Sequence, residues 1–184
     1  MASEVILILG GARSGKSLFA QQLATQLGER VLFVATGAPM DEEMRRRIEL
    51  HRKARPKTWR TLETTTSVAK AINEHIEDAD VVILDCLALF VSNFMGNAPD
   101  SEDINALESD IVDELNRLLE RKKRKKASLI IVSNEVGMGI VPPYPVGRAY
   151  RDLLGRANQF IAHCADRVYL MVAGIPLQLK GDEK

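Results

Sequence analysis

Cysteine is scarce in this chain: there are two, Cys86 and Cys164. They make no disulfide framework and stand in no metal-ligand spacing, so both are expected to be reduced. Long apolar runs are missing too. The first, residues 5–9, has five residues, far short of the ~18 that would suggest a membrane span. No signal-peptide pattern surrounds it, so it reads as core, and the expectation is a cytoplasmic protein with no membrane span. Nor is there an excess of charge of either sign, because 25 Lys and Arg offset 25 Asp and Glu. Nothing global therefore points to nucleic acid or a membrane surface as partner. Repeats, low-complexity tracts and linkers are absent, and 184 residues suit one domain, residues 1–184, able to bury about 70% of its unfolded surface.

What the chain does have is a regular alternation. Apolar runs at residues 5–9, 31–35, 81–84, 129–132 and 168–172 are separated mostly by segments of helical period. This predicts an α/β fold, with a mainly parallel sheet between two helical layers. Helices are expected over 16–27, stopped by Gly28; over 41–55, with Met44, Ile48 and His51 on one face and Pro56 at its end; over 67–76; over 100–126, with acids early and bases late; and from near Pro145. Residues 58–62 suggest a short extra strand. Ala173-Gly174, ahead of residues 175–180, reads as the turn of a closing hairpin with an antiparallel edge strand.

Between the first strand and the first helix stands Gly10-Gly11-Ala12-Arg13-Ser14-Gly15-Lys16-Ser17. This is G-x-x-x-x-G-K-S in the strand–loop–helix setting of a phosphate-binding loop. Its glycines let successive N–H groups point at a polyphosphate, and the helix adds its positive end. Lys16 would reach the β- and γ-phosphates and Ser17 would offer its hydroxyl to Mg²⁺. Asp85, at the tip of the apolar run 81–84, is where an acid would meet that Mg²⁺, since ligands of open α/β sheets sit outside these strand ends. Its alternative role is to cap the segment 87–94. Ala35-Thr36-Gly37 leaves the sheet on the same edge. Cys86, ending a buried strand, reads as packing.

His51 has two readings. A lone histidine on a half-apolar helix face is most often structural, yet Arg52 and Arg55 within a turn favour its neutral, nucleophilic form. Spacing leaves both open; His75 and His163 lack such surroundings and read as structural. The segment 133–142, rich in hinge residues, follows a buried strand and should face the nucleotide edge. Arg148, Arg151, Asp152, Arg156, Asn158 and Gln159 crowd the following helix, as site residues or as a surface face. The basic run 121–126 has no interleaved aromatics and reads as a solvated helix end. Asn-Lys-x-Asp, the guanine-reading motif of signalling GTPases, is absent.

Six blocks, in order, resemble one family: GGARSGKS at 10–17, DEEMRRRIELHRKARPKTWRTLE at 41–63, DCLALFVSN at 85–93, VSNEVGMGIVP at 132–142, GRAYRDLLGRANQ at 147–159 and VAGIPLQLK at 172–180. The family is the bifunctional adenosylcobinamide kinase/adenosylcobinamide-phosphate guanylyltransferase of cobalamin biosynthesis. The resemblance implies a RecA-like P-loop NTPase fold and two reactions. ATP or GTP gives its γ-phosphoryl to the hydroxyl of the corrinoid's aminopropanol arm; GTP then gives GMP to that phosphate through a GMP–histidine intermediate. By the same resemblance His51 is the nucleophile, Lys16 holds the phosphates, and Ser17 and Asp85 position Mg²⁺. Arg52, Lys53 and Arg55, with Ala54 among them, would neutralise phosphate oxygens, and Ala35, Thr36, Gly37 and Glu63 would contact nucleotide. The family also implies homo-oligomers, often trimers. Three residues depart from its pattern. Ala88 stands where a threonine is common, Phe90 where tryptophan is common and Pro143 where an acid is common, so no hydroxyl or general-base role is read there. The alternatives are a monofunctional P-loop small-molecule kinase, which would need no nucleophilic histidine, and a nucleotide-dependent regulatory module using 121–126 as its partner surface.

Overall fold

The computed structural model describes residues 3–37, 42–53, 55–97, 103–123 and 127–181; of Glu43, Met44, Arg47, His51 and residues 121–123 it describes the backbone alone. In chain order the elements are β1 (Val5–Gly10), α1 (Lys16–Leu27), β2 (Val31–Ala35), α2 (Glu42–Lys53), β3 (Arg60–Glu63), α3 (Val68–His75), β4 (Val81–Asp85), α4 (Leu87–Asn97), α5 (Ile104–Lys123), β5 (Ser128–Val132), α6 (Pro145–Cys164), β6 (Arg167–Val172) and β7 (Ile175–Lys180). The strands form one sheet in the order β3-β2-β4-β5-β1-β6-β7. Its first six strands are parallel, and β7 alone runs antiparallel, against β6.

The unbroken apolar runs of the central strands follow from burial on both faces. Period-2 geometry sends alternate side chains to opposite sides. Val5 and Leu7 of β1, Val82 and Leu84 of β4, and Leu129 and Ile131 of β5 join the core under α3, α4, α5 and α6. Ile6 and Ile8, Val81 and Ile83, and Ile130 and Val132 point the other way, to Ala20, Leu23 and Ala24 of α1 and to Trp59. The segment 87–94, which Asp85 would cap in its alternative role, is part of α4. Leu87, Ala88, Phe90 and Val91 are all buried, and Ser92, Gly96 and Asn97 face solvent. The short extra strand is real but shifted to Arg60–Glu63. A turn in which the Trp59 N–H bonds the Pro56 carbonyl at 3.1 Å precedes it, and pairing begins at Leu32 with Arg60. The predicted ends of the helices over 41–55 and 100–126 fall partly outside the described residues.

This order positions the site. From β1 the chain leaves through α1 on one face, and from the neighbouring β5 it leaves through α6 on the other. Connections that diverge from adjacent parallel strands open a crevice beyond their C-terminal ends. Among the described residues no helix is long and apolar enough to cross a membrane.

At the opposite edge, Arg30 ties the start of β2 to the start of β4. Its Nη2 donates to Asp80 Oδ1 at 2.6 Å, its Nε to Oδ2 at 3.2 Å and its backbone N–H to Oδ2 at 3.1 Å. These bonds from Arg30 hold the Asp80 carboxyl down at about 2. A folded-state value below the unfolded ~4 gives stability that is complete above that pH and is lost as pH falls toward 2. Asp80→Ala should therefore be less stable than wild type at pH 7, with the difference closing between about pH 4 and 2 in urea unfolding at stepped pH. A difference that stays constant down to pH 2 would show that the ion pair is not its source.

Candidate active site

The phosphate-loop sequence closes as it does because of two glycines. Gly10 ends β1 at φ 152°, and a Cβ there would stand 2.6 Å from Ser14 Oγ and 2.7 Å from the Met171 carbonyl. Gly15 caps α1 in the left-handed region at φ 94° with no side-chain cap, so the helix's first N–H groups and its positive end stay open to a ligand. The hairpin turn between β6 and β7 supports the loop from behind, the Gly174 N–H donating to the Ser14 carbonyl at 3.0 Å. Lys16 is buried and curls back, its Nζ donating to the Gly11 carbonyl at 2.6 Å. Burial lowers its pKa, while Cys86 and Asp85 act in the opposite direction.

Beside the loop, the ends of β2 and β4 are clamped together. Thr36, fully buried, donates from Oγ1 to the Cys86 carbonyl at 2.8 Å and accepts from the Cys86 N–H at 2.9 Å. Its own N–H reaches the Asp85 carbonyl at 3.2 Å, and its carbonyl accepts from Asn93 Nδ2 at 2.8 Å. The Thr36 hydroxyl is thus committed to the backbone that carries Asp85. Cys86, not Asp85, precedes α4, and its carbonyl accepts the Phe90 N–H at 3.1 Å. Burial, with Asp85 alongside, pushes the Cys86 thiol up to about 12, so it remains protonated, in line with packing.

These elements enclose a cavity of about 480 Å³, walled by residues 12–18 of the loop and first turn, Ala35, Gly37, Ile48, Arg55, Asp85, Cys86, Leu89, Val132 and Asn134. Arg55 is the unusual member. Its guanidinium lies 3.7 Å over the Phe33 ring, and its Nε and Nη1 are buried with no hydrogen-bond partner. Burial lowers its pKa against the pull of Asp85 and Glu63. A stacked, desolvated guanidinium with idle donors on a cavity wall is arranged to receive an anion.

Of the residues expected at the site, Ala12, Arg13, Ser14, Gly15, Lys16, Ser17, Ala35, Gly37, Arg55 and Asp85 share this wall. Gly10 and Thr36 lie at the strand ends beside it, and the Gly11 carbonyl accepts from Lys16. Arg52 and Glu63 lie off the wall and pair with each other across α2 and β3, and Lys53 is exposed. Ala54 and the His51 side chain lie outside the described residues; Ile48, one turn before His51 on α2, is in the wall. Leu18, Leu89 and Val132 are wall residues that the sequence did not single out; Asn134, also in the wall, belongs to the segment 133–142 expected to face the nucleotide edge.

The crowd of polar residues on α6 divides between site support and surface. Asn158 is buried, accepting from Ser133 Oγ at 2.6 Å and donating to the Asn134 carbonyl at 3.1 Å. Arg148 donates to the Pro142 and Pro143 carbonyls at 3.1 and 2.8 Å. Arg156 pairs with Glu108, Arg151 with Asp152, and Gln159 is exposed.

A family model described as cobinamide kinase / cobinamide phosphate guanyltransferase matches residues 6–179. The bifunctional adenosylcobalamin biosynthesis protein CobU of Escherichia coli (strain K12) is 40% identical over 181 residues, covering 96% of this chain and 99% of the relative. Its counterpart in Salmonella typhimurium is 39% identical with the same coverage. CobP of Pseudomonas aeruginosa, named likewise, is 40% identical over 176 residues, covering 96% of this chain and 97% of the relative.

Thr36→Val keeps the shape of the β2–β4 clamp but leaves the buried Cys86 N–H without its acceptor. The expected cost is about 1–3 kcal/mol of stability, read from urea unfolding. A loss well below that range would show that water or another group replaces the hydroxyl.

Proposed function

The chain belongs to the cobinamide kinase / cobinamide phosphate guanyltransferase family, and from that premise we propose that it catalyses both reactions in one catalytic unit. In the first, the hydroxyl of adenosylcobinamide's aminopropanol arm attacks the γ-phosphorus of ATP or GTP, and the nucleoside diphosphate leaves. In the second, the neutral His51 imidazole attacks the α-phosphorus of GTP, pyrophosphate departs, and a phosphate oxygen of adenosylcobinamide phosphate then takes GMP from the histidine. The product is adenosylcobinamide-GDP. Splitting the transfer in two makes each step a single displacement at phosphorus.

The observation that carries this reading is the Arg55 guanidinium, with two idle buried donors in the same cavity as Lys16. On binding triphosphate, Lys16 would exchange the Gly11 carbonyl for phosphate oxygens, and Arg55 would fill its donors with the oxygens on which charge develops. The N–H groups of the loop and of the first turn of α1 complete the cradle. Arg52, Lys53 and Glu63 would then act from the rim.

Mg²⁺ suits the same cavity, because the Ser17 hydroxyl and the Asp85 carboxylate are both hard oxygen donors on its wall. Among the described residues no cluster of three or more His, Cys, Asp or Glu could hold a metal alone, which fits an ion completed by phosphates and water. When bound, it would offset charge on the phosphate oxygens. Cys86 and Cys164 are both free, which suits the reducing cytoplasm, where both nucleotides are made.

The same reading includes a homo-oligomer, with a trimer as the expected form. Val172, Ile175, Leu177 and Leu179 of the β6–β7 edge are more than half exposed, an apolar edge of a kind that monomers seldom leave bare. Leu177→Asp should yield a lighter species in sedimentation equilibrium; an unchanged mass would place any subunit contact elsewhere.

The test of the chemistry is labelling with [α-³²P]GTP and Mg²⁺ in the absence of corrinoid. Wild type should acquire an acid-labile, alkali-stable label, and His51→Ala should bind GTP without acquiring it. Arg55→Gln should slow labelling by about 10²–10³-fold, the usual effect of losing one donor to a developing oxyanion. Label that persists in His51→Ala would move the nucleophile elsewhere. No label on wild type, even with adenosylcobinamide added, would leave a plain kinase.

A further inference from the structure

The cavity of about 480 Å³ lies in the lower half of the ~300–1,000 Å³ range that encloses drug-sized ligands. One nucleoside triphosphate uses such a space. A corrin macrocycle, with its fringe of amides and a second nucleoside on cobalt, does not fit beside it. Only the arm of the acceptor can enter, so its bulk has to rest on surface that borders the cavity.

On the β5 side that border is the segment 134–146. It begins in the cavity wall at Asn134 and then turns its apolar side chains to solvent. Ile140 is 96% exposed, Met138 82%, Tyr144 71%, Val146 67% and Val141 59%. Such a density of bare apolar side chains next to a site is unusual for surface that nothing covers. The backbone is tied down at both ends of this apolar stretch. The Glu135 N–H donates to the Gly10 carbonyl at 3.1 Å, the Gly137 N–H to Glu135 Oε1 at 2.6 Å, and Arg148 fixes the carbonyls of Pro142 and Pro143. Through Gly10 and Asn134 the segment is joined directly to the phosphate loop and the cavity wall. An apolar surface fixed in advance binds without the cost of ordering a loop.

Charge narrows the occupant further. Between Asn134 and Gly147 there is no Lys or Arg, and Glu135 is the only charged residue. The surface thus disfavours an anion such as a second nucleotide and accepts a ligand that is apolar and neutral or cationic. An alkylcobalt(III) corrinoid without its own nucleotide is a cation with a methyl-fringed ring. We propose that the segment 136–146 is the platform on which the corrinoid ring rests while its arm enters the cavity, an assignment that depends on the reading of the chain as a corrinoid kinase and guanylyltransferase. Met138 and Ile140 supply its outermost contacts, and Tyr144 and Val146 extend it toward α6.

Equilibrium dialysis of cobinamide, followed by its visible absorbance, tests the platform on the whole protein without turnover. Met138 and Ile140 are so exposed that Met138→Asn/Ile140→Asn should fold as wild type does, checked by its melting curve. The double variant should bind cobinamide about tenfold or more weakly, with its affinity for GTP unchanged. Equal cobinamide affinity in variant and wild type overturns the platform and leaves the proposed reactions standing. Wild type that fails to bind cobinamide at all overturns both. Loss of subunit association in the variant, with cobinamide binding kept, makes the segment a contact between copies and overturns the assignment.

Discussion

A parallel sheet buried on both faces can present polar groups only where its strands end. The rest of this molecule depends on that constraint. The side chains of β1, β4 and β5 are taken up by two apolar cores, one under α1 and one under α3 to α6. The C-terminal tips of the strands are left to carry chemistry, and a crevice opens beyond β1 and β5 because these two neighbours send their helices to opposite faces. Gly10, Thr36, Asp85 and Asn134 each lie at or just beyond such a tip.

Within the crevice two cations, Lys16 and Arg55, face the same cavity. Lys16 is buried and satisfied by its own loop carbonyl. Arg55 is stacked on Phe33 with idle donors. Buried unpaired donors are costly in an empty protein, and they stabilise a bound polyanion more than exposed ones would. The opposing charge on the wall is Asp85, whose backbone is fixed by the Thr36 hydroxyl. A fully buried threonine thus fixes the backbone that carries a wall carboxylate.

The supports of the site come from distant parts of the chain. Gly174, in a hairpin turn near the end of the chain, braces Ser14 near its start. Asn158, on α6, holds the segment after β5. These contacts link the glycine-rich loop, the β5 segment and the antiparallel edge mechanically, so that cavity, apolar border and exposed edge strand belong to one framework.

The sequence by itself determined the alternation of strands and helices, the closing hairpin, the phosphate loop and the acid at the end of β4. Each of these is written in local pattern: period, turn residues, or a fixed spacing of glycines, lysine and serine. It also carried the blocks that mark the family. Only the tertiary structure decided that the Thr36 hydroxyl is turned to Cys86, that Arg52 and Glu63 pair with each other, that Arg55 is stacked and unsatisfied, and that the start of α4 is buried. Those outcomes depend on which strand lies beside which. β2 pairs with β4 across some fifty residues, Thr36 facing Cys86, and no local pattern records a neighbour that is brought near only by folding.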